Sequence, residues 1–178
     1  MRLDTASQQA ELAYAREQLF DLTARQDRLR AEYSGQQAVT FSPILLAQSR
    51  ANPKVLPVVE GQRSLFAARQ ARLGAEKRQL LQRKVQTTAQ ITGLEAQIVS
   101  VAQQITLTAA AMKNQKSLLA RKLVPAATVL EFEREMSRLQ GSLGELRGQQ
   151  AQAREQIAGI ELEILQRGSL AREKAMAE

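Results

Sequence analysis

The stretch Leu118–Met136, LLARKLVPAATVLEFEREM, is where a long helical pattern stops and then resumes. The interruption falls at Val124-Pro125, and a proline removes a backbone donor and disfavours helix in the residue before it. Two long helices separated by so few residues have one economical arrangement, which is an antiparallel hairpin. The break is therefore predicted to be the tip of a two-helix arm.

The composition indicates long helices with narrow apolar seams and no thick globular core. Of the 178 residues 3% are aromatic, and none is Trp, Cys or His. The lack of His and Cys removes the commonest general base and the thiolate metal ligands. The net charge of +7 is interleaved with Glu along the chain, which is typical of solvated helix surfaces. We therefore predict no catalytic, cofactor-binding or metal-binding residue.

The pattern predicts one all-α domain over residues 1–178 with three helices. Its parts are helix 3–34, a Pro-rich loop 35–61, helix 62–122, a tip 123–126 and helix 127–170. The heptad seam of the first helix is Leu12, Ala15, Leu19, Leu22, Gln26, Leu29 and Tyr33. The seam of the second is Phe66, Leu73, Leu80, Thr87, Ile91, Leu94, Ile98, Val101, Ile105, Thr108, Met112 and Leu119. The seam of the third is Val129, Phe132, Met136, Leu139, Leu143, Leu146, Gln150, Ala153, Ile157, Ile160 and Ile164.

The loop holds three of the four prolines, Pro43, Pro53 and Pro57. We expect it to lie along a helix surface, with at most a short helical turn over residues 44–46. Its predicted apolar contacts are Phe41, Ile44, Leu45, Leu46, Val55 and Leu56.

Folding about Val124 keeps the two long seams in phase. The predicted pairs are Leu119 with Val129, Met112 with Met136, Ile105 with Leu143, Ile98 with Gln150, and Ile91 with Ile157. The fold class is an elongated antiparallel coiled-coil hairpin with the N-terminal helix packed along its base. The direction of that helix relative to the second one stays open.

The tip is the candidate partner-binding site. Its residues are Leu118, Arg121, Lys122, Leu123, Val124, Pro125 and Ala126. Loop tips are normally polar, whereas this one is apolar with a basic shoulder. Either Leu123 and Val124 fold back to cap the seam, or they dock onto another protein.

The tip sequence LLARKLVPAATVLEFERE, the loop VTFSPILLAQSRANPKV and the following GQRSLFAARQARL together resemble a known family. They are similar to the periplasmic adaptors of type I secretion systems, the haemolysin D-type membrane fusion proteins, and most of all to those of protease and lipase exporters. The resemblance implies a periplasmic module of a protein anchored in the inner membrane of a Gram-negative bacterium. It further implies that the tip contacts a TolC-like outer-membrane channel, that domains absent here contact an inner-membrane ABC transporter, and that the full-length protein forms a ring, usually of six.

One part of the family pattern is not met. The related multidrug-efflux adaptors carry Arg, Leu and Ser around the tip, and Leu118 fits the Leu position. Asn114 and Pro125 stand where the Arg and the Ser would be, so the efflux type of recognition does not carry over.

Three other classes compete with an adaptor. A generic coiled-coil scaffold without a transport role is the main alternative. A nucleic-acid binder is disfavoured because there is no dense basic block and there are few aromatic side chains for stacking. An enzyme is disfavoured because no motif places a nucleophile near a base.

Overall fold

A computed structural model describes the backbone of residues 2–178 and the side chains of residues 7–178. The described part contains no strand, and its helices are α1 (Arg2–Tyr33), α2 (Pro43–Ala51), α3 (Leu56–Ala120) and α4 (Ala126–Ala177). The prediction of an all-α fold is confirmed. The chain divides into two compact units, unit 1 (Met1–Gln79 with Glu163–Glu178) and unit 2 (Leu80–Leu162).

Two segments of the predicted loop are helical instead. Pro43 is the first residue of α2, and the Ser42 side chain caps this helix by accepting a hydrogen bond from the Leu45 backbone N–H at 3.4 Å. α3 begins at Leu56, so Pro57 lies in its first turn. A proline in a first turn breaks no helical hydrogen bond, because the N–H groups there have no partner within the helix. Two of the three prolines in this segment therefore mark helix starts.

The core of unit 1 joins α1, α2 and the start of α3. Its buried residues are Ala24, Phe41, Leu45, Val55 and Val59. Among the six predicted loop contacts, Phe41, Leu45 and Val55 are buried, whereas Ile44 and Leu56 are exposed. The segment is thus fastened to α1 by three of the expected apolar side chains and by the unexpected helix α2.

The predicted seam of α1 is wrong. Leu12, Leu19 and Leu22 are more than half exposed, and the buried face carries Ala24 and Ala31 instead. Alanine lets a neighbouring helix approach closely, so small side chains rather than leucines form this contact. The spacing of the large apolar residues therefore predicts the face of α1 that lies opposite to the buried one.

A buried arginine holds α1 in unit 1. Arg28 is 2% exposed, and its guanidinium donates to Glu32 at 2.7 Å, to Gln62 at 2.7 Å and to Glu178 at 3.2 Å. Arg69 of α3 adds bonds to Glu32 at 3.1 Å and to Glu178 at 3.0 Å. Arg28 of α1 contacts Gln62 of α3, and Glu32, one turn later in α1, contacts Arg69, which is also later in α3. α1 therefore packs parallel to α3, which answers the direction left open by the sequence.

In unit 2, α3 and α4 form an antiparallel pair. The ion pairs between them are Lys116–Glu133 at 2.8 Å, Glu95–Arg154 at 3.3 Å and Lys84–Glu161 at 2.6 Å. From the first ion pair to the last, the residue number of the α3 partner falls by 32, while that of the α4 partner rises by 28. This alignment agrees with the predicted pairing to within one helical turn. Every predicted seam residue of the two helices in this unit is buried or half-buried.

Candidate partner-binding tip

The tip is built on a regular helix ending. α3 stops at Ala120, the Leu123 N–H donates to the Leu118 carbonyl at 3.0 Å, and the Lys122 N–H donates to the Leu119 carbonyl at 2.8 Å. This pair of bonds defines a Schellman motif, in which the residue after the cap adopts the left-handed conformation. Lys122 is that residue, with φ of 58°.

The same motif ends α1, where the left-handed residue is Gly35 with φ of 65°. There the Gln36 N–H donates to Ala31 at 3.0 Å and the Gly35 N–H donates to Glu32 at 3.2 Å. Glycine adopts this conformation freely, whereas another L-residue loses roughly 1–2 kcal/mol in it. The tip therefore holds strain that the end of α1 does not. Sequence reasoning missed it because Lys122 lacks the glycine that usually marks the motif.

α4 restarts directly after a proline. Pro125 precedes Ala126, the first residue of α4, and its carbonyl accepts from the Thr128 N–H at 3.2 Å. The fixed φ of proline suits a helix start and needs no backbone donor there. Val129, 7% exposed, is then the first buried residue of the α4 seam. The turn between the two helices is therefore constrained at both ends, by a left-handed residue and by a proline.

The structure divides the seven predicted tip residues by exposure. Leu118 and Val124 are half-buried, whereas Arg121, Lys122, Leu123, Pro125 and Ala126 are exposed. Leu123 is 62% exposed, so it does not cap the seam as one of the two interpretations required. Val124 is turned partly inward and is consistent with that interpretation. Leu123 is therefore accessible to a partner, whereas Val124 is only partly accessible.

The exposed surface of the tip combines one leucine, one proline and two cations, and residues 118–130 include no carboxylate side chain. Glu133 is the first carboxylate bonded across the hairpin, to Lys116. No group of acidic, His or Cys side chains in the described part of the chain could hold a metal ion. Such a surface suits contact with an apolar or acidic patch on another protein.

None of the helices, across the residues that the structure covers, is both long and apolar enough to cross a membrane.

Comparison with known proteins gives concordant matches. The family model described as AprE, long alpha-helical hairpin, matches residues 8–178. The type I secretion system membrane fusion protein PrsE of Rhizobium meliloti (strain 1021) is 32% identical over 166 residues, which cover 93% of this chain and 38% of PrsE. The chain thus spans under two fifths of the length of that relative.

A solved structure agrees with these matches. The crystal structure of the soluble domain of LipC, a membrane fusion protein of a type I secretion system, matches with a TM-score of 0.90 and 28% sequence identity. The match covers 95% of this chain and 79% of the LipC chain. The resemblance noted in the tip and loop sequences is thereby confirmed.

Proposed function

The chain belongs to the AprE family of long α-helical hairpins, and on that premise we propose that it is the hairpin module that lets a type I secretion adaptor bridge an inner-membrane ABC transporter to a TolC-like outer-membrane channel. Its relatives are membrane fusion proteins rather than enzymes. These matches favour an adaptor over the alternative of a generic coiled-coil scaffold. Residues 1–178 act as one functional domain of a longer periplasmic protein that is anchored in the inner membrane.

The tip is the surface that contacts the channel. The observation that carries this proposal is the apolar surface at the turn itself, where Leu123 is 62% exposed beside the exposed Pro125. Arg121 and Lys122 beside it supply positive charge that would orient an acidic partner surface. The transporter is contacted by domains that lie outside this chain, and copies of the adaptor assemble into a ring.

The proposal is tested by Leu123→Asp in the full-length adaptor, with secretion of the exported protein as the readout. A charge placed in a contact that must lose its water is costly, so secretion should stop. The melting temperature should stay unchanged, because Leu123 makes no buried contact in the hairpin.

Leu107→Asp is the matched control. Leu107 is 71% exposed, also belongs to unit 2, and lies away from the turn on α3. The same substitution there should leave both secretion and melting temperature as in the wild type. Normal secretion by Leu123→Asp, or equal loss in both variants, would remove the tip as the contact site.

A further inference from the structure

A groove of about 620 Å³ opens between α3 and α4 where α1 ends. α1 stops at Tyr33, and the left-handed Gly35 that follows it lines one end of the groove. The α3 residues of the groove lie within 69–76 and its α4 residues within 167–178, so all of it belongs to unit 1. We name it the unit 1 groove. It is the part of the surface formed by α3 and α4 that lies just beyond the last turn of α1.

The floor of the groove is apolar and only partly covered. Leu73 of α3 and Ala171 of α4 are half-buried, and Leu170 is 50% exposed. Phe66 and Leu80, two turns before and two turns after Leu73 on the same face of α3, are only 3% and 6% exposed. The apolar seam of α3 is therefore incompletely covered at the groove.

Cations outnumber carboxylates around this floor. Five cations and three carboxylates line the groove and give it a net charge of +2, namely Arg69, Arg72, Arg167, Arg172 and Lys174 with Glu32, Glu76 and Glu178. Glu76 lies 3.0 Å from Arg72 and 3.5 Å from Arg167. The pKa of the Glu76 carboxyl is lowered, chiefly by the hydrogen bond from Arg72, and the charge of Lys174 contributes as well. One carboxylate thus serves three cations, so the groove can accept further negative charge.

α1 shows the kind of contact that this surface makes with a helix. Glu32, in the last turn of α1, accepts a hydrogen bond from Arg69 of α3 at 3.1 Å. Ala31 beside it is 2% exposed. α1 therefore places a small side chain and a carboxylate next to each other against its neighbours. A helix lying in the groove would repeat this contact further along α3, with apolar residues on Leu73 and Ala171 and carboxylates towards the cations.

We propose that the unit 1 groove binds an acidic amphipathic helix of another protein. The apolar face of that helix covers Leu73, Leu170 and Ala171, and its carboxylates pair with Arg172 and Lys174 at the rim. A helix suits this open groove better than a small molecule, which would keep much of its surface in water. The groove belongs to unit 1, whereas the tip belongs to unit 2, so the inference goes beyond the proposed function and does not rest on it.

Fluorescence anisotropy with a labelled synthetic helix tests the proposal. The probe is an Ala-rich peptide with Leu along one face and Glu along both edges of that face, and the control peptide carries Gln at every Glu position. The complete chain of 178 residues is titrated into each peptide. The Glu peptide should bind about tenfold more tightly, because charge-assisted hydrogen bonds then add to the apolar contact. Equal binding of the two peptides, including no binding of either, would overturn the proposal.

Substitutions of exposed leucines on α4 locate the binding site. Leu170→Asp should weaken binding of the Glu peptide about tenfold or more, because it places a like charge on the apolar floor. Leu165→Asp is the matched control, since Leu165 is 69% exposed, belongs to unit 1 and lies outside the groove. The same charge is added in both variants, so the general effect of net charge cancels. Equal loss in both variants, or no loss in either, would overturn the assignment.

Substitution of the rim cations tests the charge contribution separately. Arg172→Gln combined with Lys174→Gln should weaken binding of the Glu peptide several-fold and leave binding of the Gln peptide unchanged. Lys77→Gln combined with Arg78→Gln removes the same charge from exposed positions of α3 outside the groove, where solvent screening keeps the effect small. All four residues are exposed, so both double variants should melt as the wild type does. A loss of affinity that is equal in the two double variants would contradict the role of the rim.

Two further measurements distinguish a helical partner from other occupants. Sedimentation of the chain alone would reveal a second copy in the groove as a dimer that Leu170→Asp dissociates. Co-sedimentation with vesicles of anionic phospholipid would reveal a lipid surface as binding that Leu170→Asp removes. We expect neither, and either result would overturn the proposal. None of these readouts involves secretion, so they are independent of the result for Leu123→Asp.

Discussion

The strongest test of unit 1 is Arg28→Met. Arg28 is almost fully buried and bonds to Glu32, Gln62 and Glu178, so it joins α1 to α3 and to the end of α4. Its removal leaves Glu32, whose side chain is 9% exposed, with Arg69 as the partner that remains in this cluster. Breaking a buried ion pair by removing one partner costs about 3–5 kcal/mol.

The expected loss lies at the lower end of that range. The Glu178 side chain is 35% exposed, so water replaces part of its lost bond. We expect about 3 kcal/mol, which corresponds to a fall of about 6–12 °C in the melting temperature for a chain of this size. Arg28→Lys should recover only part of the loss, because an ammonium cannot reproduce the planar arrangement of guanidinium donors.

The assay is thermal unfolding followed by circular dichroism, with amide hydrogen exchange to locate the change in unit 1. Arg16→Met is the control, since Arg16 lies on an exposed part of α1. The same charge is removed in both variants, so the general effect of net charge cancels. A melting curve of Arg28→Met that coincides with that of Arg16→Met would refute the assigned role of Arg28.

Three further predictions concern stability. Lys122→Gly should raise the free energy of unfolding by about 0.5–1 kcal/mol, because the relief of left-handed strain exceeds the added entropy of glycine in the unfolded chain. Gly35→Ala should lower the free energy of unfolding, because alanine is strained in the left-handed conformation. Urea titrations in which both variants change the unfolding midpoint in the same direction would contradict the strain argument. The pKa of the Glu178 carboxyl is lowered from 4.5, chiefly by its hydrogen bond from Arg69, so its stabilising contribution is present above pH 4.5 and is lost as the pH falls below it. Melting temperatures recorded across this acid range should fall less steeply for Glu178→Gln, and parallel curves would contradict this role. Deletion of residues 1–34 should lower the melting temperature, since α1 covers part of the core of unit 1, and an unchanged melting curve would exclude that packing.

The two long helices were predictable because their contact repeats at heptad spacing and is made mostly by large apolar residues. In a two-helix seam, each buried position faces one partner, so its spacing repeats along the sequence without interference. Ile91, Leu94 and Leu139 are buried as that spacing predicts. The pairing of the seams then follows from the position of the break.

α1 was not predictable in the same way because it contacts several neighbours. Its buried positions carry Ala24, Ala31 and Arg28, whose burial depends on how closely the neighbours approach and on which carboxylates meet the guanidinium. Neither property is visible in the spacing of apolar residues. Helix α2 is hidden for a related reason, since a proline such as Pro43 predicts the end of a helix as readily as its start, and here it starts one.

At the tip, the sequence located the turn but not its conformation. The position of Pro125 and the ends of both seams are local features, so they could be read directly. The left-handed Lys122 is imposed by closure of the turn between two helices that are already paired, and lysine has no preference that would reveal it. The difference between exposed Leu123 and half-buried Val124 likewise depends on that closure.

The register of the antiparallel pair formed by α3 and α4 restricts how the length of this two-helix arm can change in evolution. Loss of a single residue from α3 would rotate every position beyond it by about 100° and carry Ile91 out of the seam. Loss of seven residues from α3 alone would restore the seam but shift each ion pair, such as Glu95 with Arg154, by two turns. Only the removal or addition of seven residues in both helices at matching levels preserves both. The arm can therefore lengthen or shorten only in steps of about 10 Å, so its length should take discrete values among homologous chains.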